Sequence, residues 1–199
     1  MPAPVIYYIR HGETAWNAQG RFQGSQDIPL NELGRAQAVA AGSILADLIA
    51  RDGHEAVSLP FVASPLGRAR LTMELVRGAL RLPPDCYAVD HRLREIGFGQ
   101  WEGLTLPEMK LHDAATFASR DRDKWGVAAP SGESYAAVTS RIREWSDSLA
   151  TDTVTVAHGG TMRALMVALD VATPLEAAET PIEQGVVYVF SDGGMTKFG

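Results

Sequence analysis

The chain has 199 residues, of which 46% are apolar and 21% are charged, and its 18 basic and 24 acidic side chains give a net charge of −6. These values are typical of a globular protein and exclude intrinsic disorder and a coiled coil. No apolar run approaches the roughly 20 residues that a membrane helix needs, so we expect no membrane span. The net acidity argues against non-specific nucleic-acid binding, which depends on many basic contacts to phosphates.

Cysteine usage and the N-terminus bear on the compartment. The single cysteine, Cys86, excludes an internal disulfide bond and a cysteine-based zinc site. The segment Met1–Pro4 lacks the basic and apolar regions of a signal peptide, and we therefore expect a cytoplasmic protein. The length suits one compact domain, so we assign residues 1–199 to a single domain with an insertion or lid at about residues 96–130.

Short apolar runs alternate with helical patterns along the chain, and this order predicts an α/β protein with a largely parallel sheet. The predicted strands are, in chain order, 5–9, 61–63, 153–157 and 186–190, the last of which is expected to pair with 195–198. The predicted helices are 31–50, 66–80, one near 106–120, one that follows 130–134 and ends near 149, and 161–169.

The first long helix, which Asn31 is expected to cap, has apolar residues at three- and four-residue steps. These residues predict its buried face, and they are Leu33, Ala36, Val39, Ala40 and Ile44.

Polar residues follow three of the predicted strands directly. They are Arg10-His11, Ser64 with Arg68 one turn later, and His158-Gly159. Because ligands bind outside the carboxyl ends of the strands in an open α/β sheet, we expect these residues to meet in one crevice. Guanidinium groups, imidazoles and helix N-terminal amides are donors or cations, and phosphate is their natural ligand.

Catalysis at such a crevice needs a nucleophile and a proton donor. A neutral imidazole is a good nucleophile toward phosphorus and can carry the phosphoryl group as phosphohistidine, which splits one slow hydrolysis into two transfers. The best local candidate for the acid is Glu95. On spacing alone, Glu95 is equally well read as a surface carboxylate paired with Arg92 or Arg94.

Six ordered motifs together resemble the signature of the histidine phosphatase superfamily, the phosphoglycerate mutase-like proteins, over roughly residues 5–190. They are Arg10-His11-Gly12-Glu13-Thr14, the blocks between 16 and 38, Ser64–Ala69, Leu93–Ile96 with Gly99–Gly103, Pro130–Ser134, and Ala157–Gly160. The resemblance implies a phosphoglycerate mutase-like fold, which is an α/β/α sandwich of three layers around a mostly parallel sheet.

The resemblance also implies a role for each matching residue. His11 resembles the nucleophile that becomes phosphohistidine, and Glu95 resembles the general acid that protonates the leaving oxygen and later activates water. The remaining catalytic and binding contacts to phosphate or substrate are assigned by the same resemblance to Arg10, Asn17, Gln23, Gly24, Arg68, His158 and Gly159. We expect a side chain at Gly159 to obstruct the approach of the phosphate.

Within the family, residues 94–96 and 99–103 look more like the phosphatase branch, so the expected reaction is hydrolysis of a small phosphomonoester. A phosphoglycerate mutase, which returns the phosphoryl group to an acceptor hydroxyl, and a non-catalytic phospho-ligand binder are the alternatives. The presence of both His11 and Glu95 favours an enzyme over a binder. Trp101 and the insertion up to Pro130 are expected to form the leaving-group side of the pocket.

Other hydrolase classes lack their motifs. Neither His-Glu-x-x-His nor His-x-His occurs, so we predict a metal-independent protein without a cofactor. A serine esterase would need a Gly-x-Ser-x-Gly elbow, which is missing. We expect no nucleic-acid or membrane partner; residues 186–190, if they form an exposed apolar edge, are the candidate surface for a homodimer.

Overall fold

The computed structural model describes residues 3–199, so Met1 and Pro2 of the segment that we interpret as lacking a signal peptide lie outside the described residues. The strands are β1 (Ile6–Arg10), β2 (Phe61–Ala63), β3 (Ala88–Val89), β4 (Thr153–Ala157), β5 (Val187–Ser191) and β6 (Gly194–Phe198). They form one sheet in the order β3-β2-β4-β1-β5-β6. The first four of these pair in parallel, while β5 runs antiparallel to both of its neighbours. The predicted mostly parallel sheet is confirmed.

Eight α-helices connect and cover the strands within residues 3–199. They are α1 (Ala15–Ala18), α2 (Glu32–Arg51), α3 (Gly67–Ala79), α4 (Leu106–His112), α5 (Ala114–Arg122), α6 (Tyr135–Asp147), α7 (Gly159–Ala168) and α8 (Pro174–Glu179). Short 3₁₀ turns occur at 56–58, 91–93 and 99–101. As expected, Asn31 caps α2, since its side chain accepts a hydrogen bond from the Gly34 backbone N–H at 2.8 Å.

The two faces of the sheet carry separate apolar cores. Alternate residues of β1 point to opposite faces, so Ile6 and Tyr8 pack in one core and Tyr7 and Ile9 in the other. Helices α6 and α7 cover the first face and α2 and α3 the second. The protein is therefore the expected three-layer α/β/α sandwich.

The predicted buried face of α2 is wrong. Leu33 and Val39 are exposed, as are Ala36 and Ala40, and Ile44 is half-buried. The residues that are buried are Gly34, Ala38, Ala41, Gly42, Leu45, Leu48 and Ile49. Small residues are buried where α2 makes close contacts, since a Cβ at Gly42 would lie 2.7 Å from the Cβ of Ala79 in α3 and a Cβ at Gly34 would collide with the backbone of Glu13. By length and composition α2 could also cross a membrane, but here one face is packed against α3.

The insertion and the sheet edge differ from expectation. The helix predicted near 106–120 is two helices, because the Asp113 side chain accepts from the Thr116 N–H and starts α5 as a new helix. The sequence pattern also missed α1, α8 and the two-residue strand β3. The exposed edge predicted at 186–190 is wrong, since β5 lies between β1 and β6. These residues therefore offer no free strand edge to a second copy of the chain.

Candidate active site

Three neighbouring strands, β2, β4 and β1, deliver the predicted residues to one edge of the sheet. The His11 N–H donates to the Ala157 carbonyl at 2.9 Å, and the Ser64 N–H donates to the Val156 carbonyl at 3.0 Å. The rings of His11 and His158 lie with their centroids 5.1 Å apart, although the residues are far apart in the chain. The crevice expected from the strand ends is therefore present.

A cavity of about 240 Å³ opens at this edge. Eight of the nine predicted site residues line it, namely Arg10, His11, Asn17, Gln23, Gly24, Arg68, Glu95 and Gly159. The ninth, His158, is fully buried beside His11 and does not line the cavity. The volume suits a phosphate group with a small attached group, being below the 300–1,000 Å³ of drug-sized sites.

The local geometry of His11 favours a neutral ring with one free nitrogen. Its Nδ1 lies 2.7 Å from the Gly12 carbonyl oxygen. A carbonyl can only accept, so Nδ1 carries the proton and the lone pair is left on Nε2. Burial, followed by the charges of Arg68 and Arg10, lowers the pKa of His11 well below its usual value. The ring therefore has the protonation state that a nitrogen nucleophile needs.

The His158 ring is fixed through one nitrogen. Its Nε2 lies 2.7 Å from the Ser64 hydroxyl, and its backbone carbonyl accepts from the Tyr8 hydroxyl at 2.8 Å. Its Nδ1 is buried and has no hydrogen-bond partner among the described residues. Burial, with Arg68 and His11 next, lowers the pKa of His158 well below its usual value.

The Arg10 and Arg68 side chains are held by main-chain carbonyls. Arg68 donates to the Gln26 carbonyl at 2.5 Å and to the Gly24 carbonyl at 2.9 Å, and Arg10 donates to the Ile182 carbonyl at 2.6 Å. Carbonyls orient a guanidinium group but do not neutralise it. Asp27 lies 3.9 Å from Arg68, and Arg10 has no salt bridge within residues 3–199. Both Nε atoms are buried and have no hydrogen-bond partner among residues 3–199, so each arginine keeps its charge and a donor for an anion.

The Glu95 carboxylate sits at the N-terminus of α7. It accepts backbone hydrogen bonds from Gly160 at 3.2 Å and from Thr161 at 3.2 Å. Gly160 makes this approach possible, because a Cβ there would collide with Glu95 Oε1 and lie 2.6 Å from a methyl of Ile96. The alternative pairing of Glu95 with Arg92 or Arg94 is wrong, since no salt bridge joins Glu95 to either within residues 3–199 and Arg92 pairs with Asp90 at 2.6 Å.

Residue Glu133 of the motif at 130–134 stabilises the segment that carries Glu95. The Glu133 carboxylate accepts from the Gly97 N–H at 2.8 Å and pairs with Arg141 at 3.2 Å. Arg141 in turn donates to the Glu95 carbonyl at 3.4 Å. Glu95 is therefore held by hydrogen bonds from both helices, to its carbonyl from Arg141 of α6 and to its carboxylate from the first turn of α7.

Asn17 is oriented by a residue that the sequence reasoning missed. Its Oδ1 accepts from the Thr14 N–H and from the Gln184 side chain, each at 3.2 Å. Gln184 also donates to the His11 carbonyl at 3.0 Å. With its oxygen used in this way, Asn17 has its amide nitrogen left as a donor for the cavity. Gln184 lies in the loop before β5, and no sequence signal points to it.

Arg163 and Tyr135 are further lining residues that were missed. Arg163 follows Gly159 by four positions and so shares its face of α7, a spacing that could have been used to find it. Its Nε is buried without a partner in the described part of the chain. A Cβ at Gly159 would approach described protein atoms no closer than 3.5 Å, so a side chain there would take up cavity space instead of displacing the protein.

No group of three or more His, Cys, Asp or Glu side chains within residues 3–199 is arranged to hold a metal ion. Two of the remaining histidines, His91 and His112, are exposed, and His54 is half-buried and faces Asp152 at 3.0 Å.

Comparison with known proteins supports the class that fold and site suggest, the phosphoglycerate mutase-like proteins. A solved structure of mycobacterial glucosyl-3-phosphoglycerate phosphatase with VO3 matches with a TM-score of 0.75 and 32% identity, over 95% of this chain and 93% of that one. The chain belongs to the histidine phosphatase superfamily (branch 1), whose profile matches residues 6–194.

Curated relatives carry two different activities. Glucosyl-3-phosphoglycerate phosphatase of Mycolicibacterium vanbaalenii is 36% identical over 82% of this chain and 73% of its own length. A 2,3-bisphosphoglycerate-dependent phosphoglycerate mutase of Gloeobacter violaceus is 28% identical over 94% of this chain and 84% of its own length. The phosphatase relatives support an enzyme of the histidine phosphatase type, and the mutase relatives leave the acceptor of the phosphoryl group to be tested.

Proposed function

We propose that the protein is a metal-independent phosphomonoester hydrolase that acts on a small phosphorylated metabolite through a phosphohistidine at His11. One observation carries the proposal: a neutral imidazole lies next to buried donors that have no partner among the described residues. These donors are Nε of Arg10, Arg68 and Arg163. Such a set of buried cations and donors suits an oxyanion.

In the first step, Nε2 of His11 attacks the phosphorus atom and the bond from phosphorus to the leaving oxygen breaks. The Glu95 carboxyl group gives its proton to that oxygen, so an alcohol departs. In the second step, water attacks the phosphohistidine while Glu95 takes a proton from the water. Inorganic phosphate leaves, and His11 and the protonated Glu95 are regenerated.

The surrounding donors stabilise the charge on the transferring phosphoryl oxygens. Arg10 and Arg68 provide fixed positive charge, and the Gly159 N–H adds a donor from the first turn of α7. These groups are already oriented by carbonyls of the protein, so little reorganisation is needed when the transition state forms.

The decisive experiment traps the intermediate. Wild-type protein mixed with a phosphate-labelled monoester and quenched in alkali should carry acid-labile label on His11 and should release inorganic phosphate. His11→Ala should lose at least about 10³-fold in turnover, as enzymes do when their nucleophile is removed. His112→Ala, which removes an exposed imidazole from α4, is the matched control. Stable label on a serine or an aspartate would contradict the proposal.

Mutase activity is a second candidate, favoured by the relatives that are named as 2,3-bisphosphoglycerate-dependent mutases. It is tested with 3-phosphoglycerate in the presence and absence of 2,3-bisphosphoglycerate. Isomerised phosphoglycerate without net phosphate release would favour the mutase, and released phosphate favours the hydrolase. Full activity in excess chelator is expected if no metal takes part, and the cytoplasmic location stays a prediction.

A further inference from the structure

The half-buried carboxylate of Glu102 lies against the loop that follows α1. It accepts hydrogen bonds from the Ser25 N–H at 2.9 Å, from the Ser25 hydroxyl at 2.8 Å and from the Gln26 side-chain amide at 3.1 Å. A further bond comes from the Phe98 N–H at 3.2 Å. Glu102 therefore joins the loop at residues 24–26 to a second segment of the chain through one side chain.

The conformation of this loop depends on residues 102 and 103. Gly24 has a φ of +52°, in the left-handed region that favours glycine, and a Cβ there would collide with Oε1 of Glu102. The Gly103 N–H donates to the Phe22 carbonyl at 2.7 Å and fixes the start of the loop. The loop is therefore held from outside, by a residue more than 75 positions later in the chain.

The same loop supplies the partners of Arg68. The carbonyls of Gly24 and Gln26 accept from its guanidinium group at 2.9 and 2.5 Å. The Asp27 carboxylate accepts from the backbone N–H groups of Gly67 and Arg68 at 2.7 and 3.3 Å. Because both the side chain and the backbone of Arg68 are attached to this loop, a shift of the loop would move the guanidinium group.

We propose that Glu102 is a positioning residue for the phosphate site: it fixes the loop at 24–26, and the carbonyls of that loop hold the Arg68 guanidinium against the phosphoryl group. The inference rests on the proposed function, because that function places a phosphoryl group beside Arg68. Glu102 does not line the cavity beside His11, so it acts on the phosphate only through the loop and Arg68.

The sign of the effect on phosphate binding separates positioning from other roles. A carboxylate near an anion site opposes the anion by its charge, so removing the charge alone should strengthen phosphate binding. Loss of stability alone would leave the dissociation constant of phosphate unchanged as long as the variant is folded. Displacement of Arg68 has the opposite effect to loss of charge, since phosphate then binds more weakly to the folded protein.

Two substitutions of Glu102 separate its charge from its hydrogen bonds. Glu102→Met keeps the length of the side chain and removes every acceptor, whereas Glu102→Gln removes the same charge but keeps a carbonyl oxygen for the Ser25 and Phe98 N–H groups. Calorimetric titration with inorganic phosphate should give a dissociation constant at least about fivefold higher for Glu102→Met, the usual effect of one lost hydrogen bond. Glu102→Gln should stay within about twofold of wild type.

Turnover should follow the same order. We expect kcat/KM for 4-nitrophenyl phosphate to fall by about 10- to 10²-fold in Glu102→Met, the range expected for a displacement of about 1 Å. Glu176→Met is the matched control, because Glu176 on α8 also accepts from a backbone N–H and a hydroxyl, those of Thr173 at 2.8 and 2.7 Å. It should bind phosphate as wild type does. Urea unfolding verifies that each variant is folded, and Glu102→Ala, which leaves room for water at the freed N–H groups, decides if the Met variant is not.

A double-mutant cycle tests whether Glu102 acts through Arg68. In an Arg68→Ala background, Glu102→Met should change kcat/KM for 4-nitrophenyl phosphate by less than about twofold, because the group that the loop holds is missing. Losses that multiply would overturn the inference. So would phosphate binding that is unchanged or tighter in Glu102→Met, or equally weakened in the Met and Gln variants.

Failure of the proposed function gives a different result. Wild-type protein that binds inorganic phosphate but hydrolyses no monoester and takes no label on His11 would contradict the hydrolase. The calorimetric comparison of the Glu102 variants needs no turnover and would still decide whether Glu102 positions Arg68.

Discussion

The two walls of the candidate active site differ in how the chain builds them. The phosphate wall consists of residues that follow β1, β2 and β4, three adjacent strands of one sheet. Its arginines are oriented by main-chain carbonyls. The aromatic wall consists of Phe22 from a loop, Phe98 just before a short 3₁₀ turn and Tyr135 from α6, and the insertion helices α4 and α5 belong to the same apolar cluster.

This difference separates chemistry from specificity. The strands pair in a fixed parallel register, so the positions of His11 and His158 follow from the sheet itself. The short capped helices of the insertion can change without altering that register. Substitutions on the phosphate wall should therefore lower turnover of every substrate, and substitutions on the aromatic wall should change the ranking of substrates.

The largest effect among binding residues is expected at Arg68. Arg68→Ala should lower kcat/KM by about 10²- to 10⁴-fold for all monoesters, because it removes a buried charge that stabilises the transferring phosphoryl group. Arg70→Ala, an exposed arginine of the same helix, is the control and should stay near wild type. Steady-state kinetics on three unrelated monoesters measures both. An uneven loss, large for one substrate and under tenfold for others, would break the distinction between the walls.

The next effect concerns Glu95 and depends on the leaving group. Glu95→Gln should lower kcat/KM for an alkyl phosphate by about 10²- to 10³-fold, since the alkoxide then departs without a proton. For 4-nitrophenyl phosphate, whose leaving group needs little protonation, the loss should be at least about tenfold smaller. Using kcat/KM restricts the measurement to the first transfer. Equal losses for both substrates would show that Glu95 does not act as the acid, and Glu144→Gln on the exposed side of α6 controls for removal of a carboxylate.

The phosphate wall was predictable because each of its parts has a local signal. A short apolar run followed at once by donors marked Arg10, His11 and His158, and the parallel order of strands implied that they meet. The aromatic wall has no such local signal, since its side chains come from segments with weak periodicity. The family resemblance pointed to this side of the pocket through Trp101, but Trp101 is buried and does not line the cavity beside His11. Arg163 is an intermediate case. Its four-residue spacing from Gly159 can be read from the sequence, but its hydrogen bond to the Thr180 carbonyl depends on the fold.

The same limit explains the error in α2. Hydrophobic periodicity ranks residues by size and polarity, and it therefore selected Leu33 and Val39. The structure instead buries Gly34 against the backbone of Glu13 and Gly42 against Ala79 of α3. In the first half of α2 the buried face is made of small residues, which a pattern that looks for large ones does not select; the larger Leu45, Leu48 and Ile49 that follow were missed as well. Gln184 was missed for another reason, as its role depends on a loop conformation.

A subtler test of the phosphate wall is Gly160→Ala. The new methyl group would collide with Glu95 Oε1 and displace the carboxylate, while leaving every charge in place. We expect kcat to fall by about 10- to 10²-fold, the range expected for a displacement of about 1 Å at a reacting group. Gly78→Ala is the control, since a Cβ there meets nothing within 4 Å, and it should leave kinetics unchanged. Unchanged kcat in the Gly160 variant would mean that the position of Glu95 is not critical.

The smallest expected effect is a pH dependence of stability that originates in the two buried rings. In the folded protein burial, together with Arg68, lowers the pKa of His11 and His158 well below the usual 6.5. As pH falls below about 6.5, the unfolded chain binds protons that the folded chain excludes, so the unfolding free energy falls by up to about 1.4 kcal/mol per pH unit for each ring. Above that pH the contribution is fully present. The free energy of unfolding, measured with urea between pH 5.5 and 7.5, should therefore change less steeply with pH for His158→Gln than for wild type. The exposed His112→Asn should keep the wild-type slope, and an unchanged slope for the His158 variant would show that this ring is not held neutral.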